Sequence, residues 1–100
     1  MRKLALTAVL GVLTVPALAV TPTMASPTAE QKAEFYAVCM GISQDQTLCS
    51  CKADAAMTLI DERFMNVVIV SMKGGSPAAA DYPRYNAYVA QSNRVCKPNY

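Results

Sequence analysis

Apolar positions recur with helical spacing over most of the chain, following one uniformly apolar run near its start. Phe35, Cys39 and Ile42 fall at i, i+4 and i+7, while Glu30, Lys32 and Glu34 are left for water, so an amphipathic helix is predicted from Glu30. Ser26 or Thr28 can cap it, and Pro27 fits the first turn if Ser26 is the cap. Gly41 and the polar residues 43–46 close it.

Thr47 is the candidate cap of a second helix, with Cys49 and Cys51 in its first turn and Cys51, Ala55, Leu59 and Ile60 on an inner face. Residues 64–70 are β-branched and almost uniformly apolar, a composition that also suits a strand. No second convincing strand is available to satisfy the backbone of a first, which favours one helix over 47–72 with a bend at Asn66. Gly74-Gly75 and Ser76-Pro77 then stop it.

Asp81 is the candidate cap of a third helix, with Pro83 in its first turn, and Tyr85, Val89, Ser92 and Cys96 recur along one face. Pro98 ends it. The expected fold is all-α, a small disulfide-stapled bundle of three helices.

The start of the chain has the form of an export signal: Arg2 and Lys3, an apolar run over 4–15, then Ala17-Leu18-Ala19 and Thr23-Met24-Ala25 as small-residue cleavage motifs. This predicts a signal peptide over 1–25, cleaved after Ala19 or Ala25, and a single helical domain over 26–100. The run is broken by Pro16 and is shorter than the roughly 20 residues of a membrane span, and no cysteine near either motif could carry a lipid. The expected location is periplasmic or secreted.

Export changes the charge balance. The whole chain has 9 basic and 7 acidic side chains, but without Arg2 and Lys3 the counts are equal. A neutral protein with no run of Lys or Arg has no footprint for nucleic acid.

Four cysteines behind an export signal read as a disulfide framework, which a chain with so thin a core needs. In an up-down-up bundle, Cys39, Cys49, Cys51 and Cys96 all arrive at the same end. A Cys49–Cys51 bridge would close a very tight ring and ranks last. The two remaining connectivities close loops of nearly equal length, and the inward register of Cys51 with Ala55 and Leu59 tips a weak preference to Cys39 with Cys51 and Cys49 with Cys96. Zinc is not expected, since one Cys-x-Cys and two distant singles differ from the usual paired ligands. A thiol-disulfide role for Cys49 and Cys51 is a minor alternative, because a helix amino terminus can lower a thiol pKa.

No histidine is present, which removes the commonest metal ligand and histidine-based nucleophile activation. Asp61 and Glu62 point apart on a helix and read as a solvated acidic turn. No cofactor motif, catalytic residue or metal site is expected, and the chain is read as non-enzymatic.

Tyr82, Tyr85 and Tyr88 step along the start of the third helix beside Arg84, and tyrosine and arginine commonly anchor protein interfaces. Phe64, Val68 and Met72 add more apolar surface than a small bundle easily covers. These seven residues form the candidate interface for an envelope protein or a second copy of the chain. Binding of a lipid or other amphiphile, or of a membrane surface, is the alternative.

Phe35-x-x-x-Cys39, Cys49-x-Cys51 and Cys96 together resemble, in spacing, small exported helical proteins of proteobacteria with a Cys...Cys-x-Cys...Cys pattern. The likeness covers 30–96. It implies an envelope location and assigns no functional residue.

Overall fold

The structure is a computed structural model in which residues 25–97 are described; the expected signal peptide and its cleavage motifs lie almost wholly outside them. Helix α1, Ala29–Ser43, is capped by Thr28, whose Oγ1 accepts from the Gln31 N–H at 3.0 Å. Gln31 Oε1 returns the bond by accepting from the Thr28 N–H at 2.9 Å, completing a capping box. The Gln31 amide also donates to Glu62 O and Asn66 Oδ1, so the residue that starts α1 ties it to a later helix. Gln44 ends α1 in the left-handed conformation, φ 56°.

Helix α2, Gln46–Leu59, starts one turn after α1 ends. Its cap is Asp45, not the expected Thr47: Asp45 Oδ1 accepts from the Leu48 N–H at 3.0 Å. The carboxylate is the stronger acceptor for an orphan N–H at the positive end of the helix dipole.

The expected single helix over 47–72 is two. Ile60 is extended, with φ −135° and ψ 165°, and Asp61 caps a new helix, α3, Glu62–Met72, by accepting from the Phe64 N–H at 2.8 Å. The described residues therefore form an all-α bundle of four helices, not three. The break follows from the burial of side chains around it. Ile60, Phe64 and Met65 are each 7 % exposed or less, and redirecting the chain at residue 60 lets all three enter one core. Asn66, the expected bend, is an exposed position inside a continuous helix. Residues 64–70 are helical, as their lack of a strand partner implied.

Gly74 closes α3 with φ 101°, a conformation that only glycine adopts without strain. The Gly75 N–H bonds Val70 O at 3.0 Å, so close that a Cβ on Gly75 would lie 2.7 Å from Val70 Cγ1.

A 3-10 turn, Ala79–Asp81, leads into α4, Tyr82–Val95. Asp81 makes no capping bond; its carboxylate accepts from Arg63 at 3.1 Å, on α3. Pro83 stands in the first turn, where its missing N–H leaves no hydrogen bond unmade.

Helix α2 is central, contacting α1 on one side and α4 on the other, while α3 packs against α1. Two groups of buried side chains follow. The larger contains Phe35, Cys49, Ala53, Ala56, Phe64, Met65 and Tyr88; the smaller contains Leu48, Ala55 and Cys96. Positions 49, 53 and 56 form one stripe of α2, and 48 and 55 belong to another. Both stripes are rich in alanine, which lets two neighbouring helices approach the same helix closely.

Candidate functional site: an apolar cleft beside the disulfides

The two disulfides are Cys39–Cys49 and Cys51–Cys96, and among the described residues no cysteine is free. This corrects the preference for Cys39 with Cys51 and Cys49 with Cys96. Residues two apart on a helix point about 200° apart, so Cys49 and Cys51 face opposite neighbours. Cys49 shares its stripe with Ala53 on the α1 side and is fully buried; Cys51 shares its stripe with Ala55 on the α4 side and remains half-buried. Cys51 does share the side of Ala55, but α2 has two inward sides, and the fully buried cysteine is Cys49. All four sulfurs do lie at one end of the bundle, where α1 and α4 finish and α2 begins.

The seven residues of the expected interface are not one surface. Phe64, Val68 and Tyr88 are 0, 2 and 5 % exposed and belong to the core. Tyr82 is exposed, and Arg84 lies over the Phe64 ring, 4.4 Å from its centroid. Tyr85 and Met72 are half-buried. Phe64 is covered by Arg84, and Tyr88 is buried while Tyr85 packs beside it against the core. Burial, with the nearby Tyr85, holds the Tyr88 phenol well above its usual pKa.

Val68, Met72, Tyr85 and Tyr88 instead meet at the wall of an open cleft of about 530 Å³. Helix α1 contributes Phe35 and Ile42, α2 contributes Leu48 and Lys52, and α4 also contributes Val89, Ser92 and Asn93. The cleft exists because α1 and α4 both pack on α2 while few contacts join them directly. The wall is mainly apolar, and Ile42 stands at it 63 % exposed.

Among the described residues, one cation enters this cleft. Lys52 Nζ donates to Ser92 Oγ at 2.9 Å and also bonds Asn93 Oδ1. Partial burial lowers its pKa, since an ammonium in apolar surroundings loses hydration. Nothing in the sequence reading singled out Lys52. Its signal was present in the spacing, because Lys52 follows Leu48 by one helical turn and so lies on the same stripe; only the position of α4 shows that this stripe borders a cleft.

Asp61 was expected to be solvated and is 7 % exposed. The Phe64 N–H is the largest of the influences that hold its carboxyl below the ordinary range, and the Arg84 bond at 3.0 Å adds to it against the opposing effect of burial.

Among the described residues there is no cluster of three or more potential metal ligands, and no helix is long and apolar enough to cross a membrane. No protein-family model, curated protein or solved structure matches the chain.

Proposed function

We propose that this small disulfide-bonded helical domain is a non-enzymatic binding protein of the cell envelope or the secreted fraction, and that the cleft between α1 and α4 takes a small apolar or amphipathic molecule. The observation that carries the reading is the cleft itself. Its volume of about 530 Å³ lies within the range of small-molecule sites, and its wall is apolar apart from one polar corner. A protein interface on Tyr82, Arg84 and their neighbours has less support, because three of its seven residues are inside the core. The disulfides support an oxidising compartment, where such bonds persist.

The chemistry suits a holder more than a catalyst. Two disulfides fix α1 and α4 to the start of α2, and so fix the walls of the cleft before any ligand arrives. A preformed site loses less conformational entropy on binding.

A titration with N-phenyl-1-naphthylamine, an uncharged probe that fluoresces in apolar surroundings, tests the reading. Saturable enhancement with one probe per chain is expected. It should weaken in Ile42→Asp, a change at an exposed residue of the wall, and persist in Tyr82→Ala, away from the cleft. A flat titration would sink the proposal. So would light scattering that shows a dimer at all concentrations with the probe excluded, since a second copy would then occupy the cleft.

A further inference from the structure

The polar corner of the cleft carries a charge that no carboxylate among the described residues neutralises. Four other described cations pair with carboxylates: Lys32 with Asp54 at 2.6 Å, Arg63 with Asp81 at 3.1 Å, Lys73 with Glu34 at 2.5 Å and Arg84 with Asp61 at 3.0 Å. Lys52 is drawn into apolar surroundings and, among the described residues, bonds only neutral oxygens, those of Ser92 and Asn93. Placing an ammonium there without a counter-charge costs free energy, and that cost is recovered when an anion arrives.

The corner is also held in place. Ser92 is 2 % exposed, and its hydroxyl donates to Val89 O at 3.2 Å, which leaves the oxygen to accept from Lys52. An ammonium has three donors, and two are taken by Ser92 and Asn93. The third is available for a ligand. Lys52, Ser92 and Asn93 lie towards the disulfide end, because α1 and α4 run towards that end and α2 leaves it. Phe35, Val68, Met72 and Tyr85 belong to the apolar wall, as do Ile42, Leu48 and Val89. From Ser92 back to Tyr85 is seven residues of helix, about 10 Å at 1.5 Å per residue.

From this arrangement we infer that the cleft binds a single-chain amphiphile with a carboxylate head, the head paired with Lys52 Nζ at the disulfide end and the tail laid along Phe35, Val68, Met72, Tyr85 and Val89. One cation with neutral neighbours balances one negative charge, which fits a carboxylate better than a doubly charged phosphate monoester. One apolar channel leading from that charge fits one chain. The inference rests on the proposed function and sharpens it from an apolar ligand to an anionic one.

The test separates the two claims. Dodecanoate and dodecan-1-ol, which share a tail and differ in the head, are used to displace N-phenyl-1-naphthylamine at neutral pH from the intact disulfide-bonded protein. Dodecanoate should compete about tenfold better than the alcohol, the lower end of what a charge-assisted hydrogen bond contributes, because the site is open to solvent. Lys52→Met should remove that preference, so that the acid no longer outcompetes the alcohol, and Lys52→Arg should restore most of it. Helix content and the absence of free thiols are checked in each variant. If the acid and the alcohol compete equally in the unmodified protein, the head-group assignment is wrong although the cleft still binds. If the preference survives in Lys52→Met, it is also wrong. Failure of the probe to bind at all removes both claims. If only an acidic amphipathic peptide displaces the probe, the occupant is a protein helix and the inference is overturned.

Discussion

The Arg84 guanidinium donates to the Asp61 carboxylate at 3.0 Å while lying 4.4 Å above the centre of the Phe64 ring, so one side chain of α4 holds the junction between α2 and α3. Asp61 in turn accepts from the Phe64 N–H. The carboxylate is thus satisfied from two directions at the break between α2 and α3. Asp61→Asn keeps a capping oxygen and loses the charge; Asp61→Ala loses both and leaves Arg84 without a partner. Urea unfolding should show a loss of about 1 kcal/mol for Asn and about 3 kcal/mol for Ala. Equal, negligible losses would mean that the junction is held by packing alone.

The same carboxylate sets a pH dependence. Its pKa is lower in the folded protein than in the unfolded chain, so between those values the unfolded state binds more protons and stability rises with pH. The contribution is fully present above the unfolded carboxylate pKa, about 3.9, and is lost as pH falls through the folded value. Melting temperatures on the acid side should fall more steeply in the unmodified protein than in Asp61→Asn. Parallel curves would refute the assignment.

Tyr88 acts at the opposite limit. Its folded pKa is raised, mainly by burial, so the stability it provides is complete below about pH 10, the unfolded value, and is lost as pH rises towards the folded one. Phenolate absorbance in alkali should show one tyrosine that ionises only as the protein unfolds. Tyr88→Phe should remove that component.

The disulfide connectivity gives a test by thiol counting. A Cys39→Ser, Cys49→Ser double variant should have no free thiol, whereas Cys39→Ser, Cys51→Ser should leave Cys49 and Cys96 on opposite sides of α2 as two free thiols, counted by alkylation in denaturant because both are buried in the fold. The longer loop constrains the unfolded chain more. Losing Cys51–Cys96, with a separation of 45 residues, should cost about 4 kcal/mol, and losing Cys39–Cys49, with a separation of 10, about 3 kcal/mol.

The end of α3 positions Met72 at the cleft, and two glycines shape that end. Gly74→Ala should cost about 1 kcal/mol in thermal or urea unfolding, because alanine is strained at φ 101°. Gly75→Ala should cost at least as much, through its approach to Val70. A neutral Gly75→Ala would show that the turn shifts freely.

Much of the fold was legible in the sequence. Residues 35, 39, 85, 92 and 96 repeat with the helical period, so α1 and α4 followed from spacing, and Gly74-Gly75 marked the end of α3. The gathering of all four cysteines at one end followed from where helices start and stop. These features are local, because periodicity, caps and turn residues act within a few positions of the chain. The break at Asp61 was not legible, since good helix formers continue through it and its carboxylate is also held by a residue 23 positions away. The partners of Cys49 and Cys51 depended on α2 having two buried sides, which is settled only when α1 and α4 dock. The proposed binding residue, Lys52, depends on the same docking. Its sequence neighbourhood is that of any helical lysine, and what distinguishes it is the apolar gap left where two helices pack on a third without closing over it.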